Sequence, residues 1–148
     1  MKPVLLLATL ALVAATSAAH AMPGAGAAAS PHGAAPAATP VKKVAKATGP
    51  NARTVAEVVG GKASLKDKPV LVRAQVVKVT AGIMGKNWVH LQDGSGKAAD
   101  GTHDVIATTK DTVAVGDVLN AKGTVRTDVN IGSGYAYAVL IEDAAFSK

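Results

Sequence analysis

Pro69-Val70-Leu71-Val72-Arg73-Ala74-Gln75-Val76-Val77-Lys78-Val79-Thr80 is the stretch that decides the fold. Val70, Val72, Ala74 and Val76 alternate with Leu71, Arg73 and Gln75, the period of two required by a strand with one buried face. The even positions therefore face inward. Beyond them the apolar positions are Val77 and Val79, so the parity changes within one strand. That change predicts a bulge or sharp coil, which lets a single strand serve two sheets.

Upstream of it, Thr54 is placed to cap a short helix beginning at Val55, with Glu57 three residues on as the partner of a capping box. Gly60-Gly61 stops or interrupts that helix. Downstream, Gly82 to Lys86 breaks the run, and Asn87 to Gln92 reads as a second strand with Val89 and Leu91 inward and Trp88, His90 and Gln92 outward. Asp93-Gly94-Ser95-Gly96 is turn chemistry. Further strands are expected over Asp104 to Thr109, Val118 to Thr127 and Tyr135 to Glu142, with Asn130 to Gly134 turning the chain between the last two. Val and Ile fill 20 of the 98 positions in 51–148, a β-branched enrichment that supports an all-β domain with one short N-terminal helix. Five antiparallel strands with a bent first strand suit a small closed barrel, because open pairs of that length leave hydrophobic edges.

Residues 1–50 have a different character. Met1-Lys2-Pro3 is followed by an apolar run from Val4 to Ala15, then small residues ending in Ala19-His20-Ala21. This is the pattern of a secretory signal peptide, 1–21, cut after Ala21. Twelve apolar residues are too few to cross a bilayer as a helix. Residues 22–50 contain five of the seven prolines and no acid or aromatic residue, the composition of a disordered linker that is extended and partly polyproline II. The domain proper is 51–148, and the protein is expected to be periplasmic or secreted. The formal charge of the whole chain is +6, but residues 51–148 hold 12 basic and 10 acidic side chains, a difference of +2. Much of the basicity thus sits on Lys42, Lys43 and Lys46 of the linker. The absence of Cys excludes disulfides, thiolate metal sites and haem attachment through cysteine.

Gly85 to Gly96, with Trp88-Val89-His90-Leu91-Gln92-Asp93-Gly94 at its centre, followed by Val115-Gly116-Asp117-Val118 and Gly123-Thr124-Val125, resembles the small exported bacterial OB-fold proteins. Some of these accompany cytochrome c nitrite reductase systems, and many are described as nucleotide- or DNA-binding. The resemblance implies a five-stranded OB-fold barrel over roughly 54–146. The link from Lys110 to Asp117 is too short for the long helix that many OB folds place there. The resemblance also implies a ligand face on the outer side of the central strands, flanked by two loops. Mapped onto this chain, that face carries Arg73, Gln75, Trp88, His90 and Gln92, with Gly82 to Asn87 and Asp128 to Gly134 as rims and Lys86, Asn87 and Arg126 beside it. An indole, an imidazole, a guanidinium and two amides suit a small ligand, an oligonucleotide-like ligand or a partner protein. Nucleic-acid binding is expected to be weak and dependent on the linker lysines, because the face offers one indole and little net charge. The alternative is a non-catalytic accessory protein of a periplasmic respiratory or redox system.

No catalytic constellation emerges. His90 has no evident acid or hydroxyl partner in sequence, and the serines fall in turns. The segment Asp93 to Asp104 departs from a calcium loop at Lys97, Ala98 and Asp104. Gly96-Lys97 lacks the Ser or Thr and the leading Gly of a phosphate loop. His90, His103 and Met84 match no short metal-ligand spacing, so no cofactor is expected. N-terminal sequencing of the exported protein is expected to begin at Met22; a chain that retains Lys2 would refute the signal peptide.

Overall fold

The computed structural model describes residues 40–148, so the signal-peptide segment and linker residues 22–39 lie outside the described residues. The element order is β1 (Ala52–Arg53), α1 (Val55–Gly60), α2 (Lys62–Leu65), β2 (Pro69–Ile83), β3 (Lys86–Gln92), a short 3-10 turn (Ala98–Asp100), β4 (Val105–Thr109), β5 (Val118–Gly132) and β6 (Tyr135–Ser147). The domain is mostly β, as expected, with the short N-terminal helix divided in two at Gly61. Both halves of the capping box are present: Thr54 Oγ1 accepts from the Glu57 N–H, and Glu57 accepts from the Thr54 N–H.

The sheet order is β1-β2-β3-β4-β6-β5, and β5 pairs back onto β2, so β2 to β6 form a ring of five strands. The bend in β2 lies where the parity changes. Val76 pairs with Leu91 and Lys78 with His90, leaving Val77 as the extra residue of a bulge. Along Pro69 to Gln75 the strand pairs with β5, and from Gln75 onward with β3. Val70, Val72, Ala74 and Val76 are buried, and beyond the bulge Val79 packs against the same core. Val55 and Val58 of α1 complete that core from the helical side.

Two expectations are corrected. The strands are not all antiparallel: β4 runs parallel to β6, with Ile106 opposite Leu140 and Ala107 opposite Ile141. An odd ring forces this, since directions that alternate around five strands must agree at one junction. Second, the two rims are not loops. Strand pairing continues to Ile83–Lys86 and to Gly132–Tyr135, leaving only Met84-Gly85 and Ser133-Gly134 as turns. All four turn residues have positive φ, the backbone of a two-residue type I′ hairpin. Exposed, glycine-containing tips conceal the period of two that would have extended the strands. The described end of the linker, residues 40–50, lies against the domain. The Val44 N–H donates to the Asp93 carbonyl at 2.9 Å, and Lys46 pairs with Glu57 at 2.7 Å. Val41, Val44 and Ala47 are half-buried while Lys42, Lys43 and Lys46 are exposed, so every third residue faces the domain, the repeat of polyproline II. The Lys46 ammonium, and after it the Thr54 N–H, hold the Glu57 carboxyl below its ordinary range.

Gly123 sits where β5 crosses the bulge of β6. A Cβ there would lie 2.7 Å from the Glu142 carbonyl oxygen and 2.7 Å from Ile141 Cγ2. Gly123→Ala is expected to cost about 1–3 kcal/mol through overpacking. Gly60→Ala meets nothing within 4 Å and is expected to be neutral or to stabilise by up to about 1 kcal/mol. Thermal melts of the two variants give the comparison; equal melting points would contradict the crowding at Gly123.

Candidate functional site

The register of β3 with its neighbours places the expected ligand residues in rows. Gln75 lies opposite Gln92, Lys78 opposite His90 and Thr80 opposite Trp88 across β2 and β3. Across β3 and β4, His90 faces Ile106 and Trp88 faces Thr108. Val89 and Leu91, at the intervening positions, are fully buried in the ring's core. Gln75, Lys78, His90 and Gln92 thus share the outer face, as the alternation predicts.

His90 and Gln92 are held there by one acid. His90 Nδ1 lies 2.9 Å from Asp104 Oδ1, and Gln92 Nε2 donates to Asp104 Oδ2 at 3.0 Å. With Nδ1–H donated to a carboxylate, the ring presents Nε2 away from Asp104. Both side chains of the His90–Asp104 pair are about four-fifths covered, at 21% relative exposure. The expectation that His90 has no acid beside it is thus corrected: Asp104, which the sequence marks only as the last position of a failed calcium loop, is its partner. The antiparallel register that sets His90 against Ile106 also sets Gln92 against residue 104, so its signal lay in the pairing of two strands rather than in a local motif.

Trp88 departs from its expected role. It is 6% exposed and packs with Ile106 and Leu140, while Val129, Ile131 and Tyr137 of the β5–β6 ribbon lie against this cluster. The rings of Trp88 and Tyr137 stack with centroids 5.1 Å apart. The indole N–H donates to the Ile83 carbonyl at 3.1 Å. The polar edge is thus satisfied and the faces are covered, so Trp88 joins the β2–β3 hairpin to the β5–β6 ribbon instead of offering a platform for a base. Burial pushes the Tyr137 hydroxyl above its ordinary pKa.

The remaining expected residues divide by surroundings. Lys86 donates to Asp143 at 2.6 Å and lines a shallow concavity of about 440 Å³ with Thr109, Lys110 and Asp111. Asn87 donates to the Asp111 carbonyl at 3.0 Å. Arg126 is bound by Glu142 at 2.7 Å and by Asp67 at 2.5 Å, and these two contacts raise its already high pKa. It is a clamp between β5, β6 and the turn before β2. Arg73 is half-buried on β2, opposite Asn120 of β5. The structure therefore brings Gln75, His90 and Gln92 together with Lys78, and places Lys86, Asn87 and Arg126 in separate contacts.

Met84 is 70% exposed at a hairpin tip, and His103 lies in the loop before β4. Among the described residues no three His, Cys, Asp or Glu side chains gather as a metal site would require. Among the same residues no helix is long and apolar enough to cross a membrane.

Comparison with known proteins gives no match: no family model, no curated protein and no solved structure is similar to this chain at a significant level.

As Trp88 is the only tryptophan, its burial has a direct readout. Intrinsic emission is expected at short wavelength and resistant to acrylamide, and Trp88→Ala is expected to cost about 3 kcal/mol or more of stability. Red-shifted, freely quenched emission would contradict the packing described.

Proposed function

We propose that residues 51–148 form an exported, non-catalytic OB-type binding module that takes a small ligand on the outer face of β2 and β3. The ring order and the bulged β2 support the OB reading. In both, one bent strand pairs with β5 along its first half and with β3 along its second. The observation that carries the binding reading is the polar group on that face: His90 and Gln92 are oriented by a single carboxylate, Asp104, instead of being separately solvated. Pre-oriented polar side chains lower the ordering cost of binding. The covered Trp88 favours a small molecule over a single-stranded nucleic acid, since stacking on an exposed ring is the main sequence-tolerant contribution in such complexes. Of the linker lysines, Lys46 is already paired with Glu57.

A second reading, an accessory protein that docks onto a periplasmic partner, is favoured by the apolar hairpin tips, where Ile83, Met84 and Tyr135 are exposed. Amide chemical-shift mapping against pooled small metabolites, run beside capture from a periplasmic extract, separates the two. The proposal expects shifts confined to 73–80 and 88–92 that Met84→Ser does not alter. Capture of one partner, lost in Met84→Ser and without any small-molecule shifts, would replace it by the docking role. Oligonucleotide binding lost in Trp88→Ala would overturn both.

A further inference from the structure

We propose that the two hairpin tips, Ile83-Met84-Gly85 and Ser133-Gly134-Tyr135, dip together into the interfacial layer of a lipid bilayer. Such insertion needs no ligand on the outer face of β2 and β3, and it puts a lipid surface where the second reading puts a protein.

The tips are neighbours. The indole of Trp88 donates to the Ile83 carbonyl beside the first turn and stacks on Tyr137 of β6. Ile131, just before the second turn, packs against the same cluster. Tyr135 lies two residues from Tyr137 along β6 and shares its face. Five large apolar side chains are exposed among the described residues, and Ile83, Met84 and Tyr135 are three of them. The other two, Val115 and Val118, sit before and at the start of β5.

Met84 is held at its apex against local preference. Its φ is 56°, in a type I′ position that favours Asn, Asp or Gly, and its side chain is the most exposed of the five. Residues that break a local rule in this way collect at functional sites.

The backbone of both tips suits an apolar medium. Strand pairing runs out to Ile83–Lys86 and to Gly132–Tyr135. The Ile83 carbonyl takes the Trp88 N–H, and the Gly132 N–H donates to the Asn130 side chain at 2.9 Å. Lipid demands such internal pairing, because an unsatisfied backbone group is costly there. Charge is absent as well: neither 79–85 nor 129–141 contains Asp, Glu, Lys or Arg. Lys86, the first charge behind the β2–β3 turn, is drawn to Asp143 of β6. Aliphatic side chains at the apex with a tyrosine at its edge match the order of groups at a membrane interface, where the phenol sits at headgroup level. Two-residue turns are convex, a shape that a fluid lipid surface accepts without a matching groove.

The chain has no cysteine, so Ser133→Cys at one tip takes an environment-sensitive fluorophore at a single site and leaves Met84 native. The intact protein so labelled is titrated with phosphatidylethanolamine–phosphatidylglycerol vesicles and, separately, with phosphatidylcholine vesicles. Val115→Cys carries the same label as the control, at an exposed apolar position away from the tips. A brighter, blue-shifted label at 133 and a silent one at 115 are expected with both lipids, at low and at high salt. Half-saturation is expected on the order of 0.1–1 mM lipid, the strength of one acyl chain. Met84→Ser and Tyr135→Ser in the labelled background are each expected to weaken binding about tenfold. A silent label at 133, an equal response at 115, indifference to both substitutions, or binding confined to anionic vesicles at low salt would each overturn the proposal. Capture of one protein through Met84, with no response to vesicles, overturns it in favour of the docking role.

Discussion

The carboxylate of Asp93 is the contact on which the rest of the domain depends. The residue is 2% exposed, and its side chain is fully occupied: Oδ2 accepts from the Val55 N–H, and Oδ1 from the backbone and hydroxyl of Ser95. Ser95 in turn accepts the Ala56 N–H at 3.0 Å. The first N–H groups of a helix have no partner within it, and a negative group at that end is favoured by the helix dipole. Asp93 and Thr54 therefore satisfy the start of α1 from two sides, and this holds Val55 and Val58 against the core. The Asp93 carbonyl receives Val44, so one residue at the end of β3 fixes both the helix and the chain that leads into it. Gly94 permits the approach, because a Cβ there would lie 2.9 Å from Lys43 Cα.

A second set of contacts fastens the strands to one another. Arg126 joins Glu142 of β6 to Asp67 in the turn before β2, and Trp88 ties the tip of one hairpin to the ribbon of the other. Both residues carry chemistry that invites a ligand when read alone. In the folded domain their polar atoms are taken up by the protein, and the packing they provide leaves a short stretch of β2 and β3 as the open polar face. Exposed ion pairs such as Arg126–Asp67 add little energy each. Their effect here is to set how the long β5–β6 ribbon lies.

Features that depend on one element were legible in the sequence. The alternation of Val70 to Val76, its break at Val77 and the Thr54–Glu57 box each need only local chemistry, and each appears in the structure. Features that depend on which strands meet were not. The parallel β4–β6 junction follows from counting the ring, Asp104 from the β3–β4 register, and the burial of Trp88 from the curl of a ribbon more than 40 residues further along the chain. Asp93-Gly94-Ser95-Gly96 has the composition of a turn and forms one, with the Ser95 N–H bonded to Asp93 Oδ1. Its role as a helix anchor was invisible because Asp93 acts on Val55, 38 residues upstream.

The β4–β6 junction has a consequence for how the ring is held closed. Only two residue pairs join these strands in register, and side chains supplement them, with Thr108 accepting from the Asp143 N–H and Asp111 from the Phe146 N–H. The β2–β3–β4 meander and the β5–β6 hairpin are built from near neighbours in sequence, whereas closing the ring joins residues 34 or more positions apart, as in Ile106 with Leu140. Loop-closure entropy opposes such contacts until the local ones exist. Two junctions join the meander to the hairpin, and of these the β4–β6 seam, with two pairs in register against seven for β2–β5, has the fewer backbone partners to hold it shut.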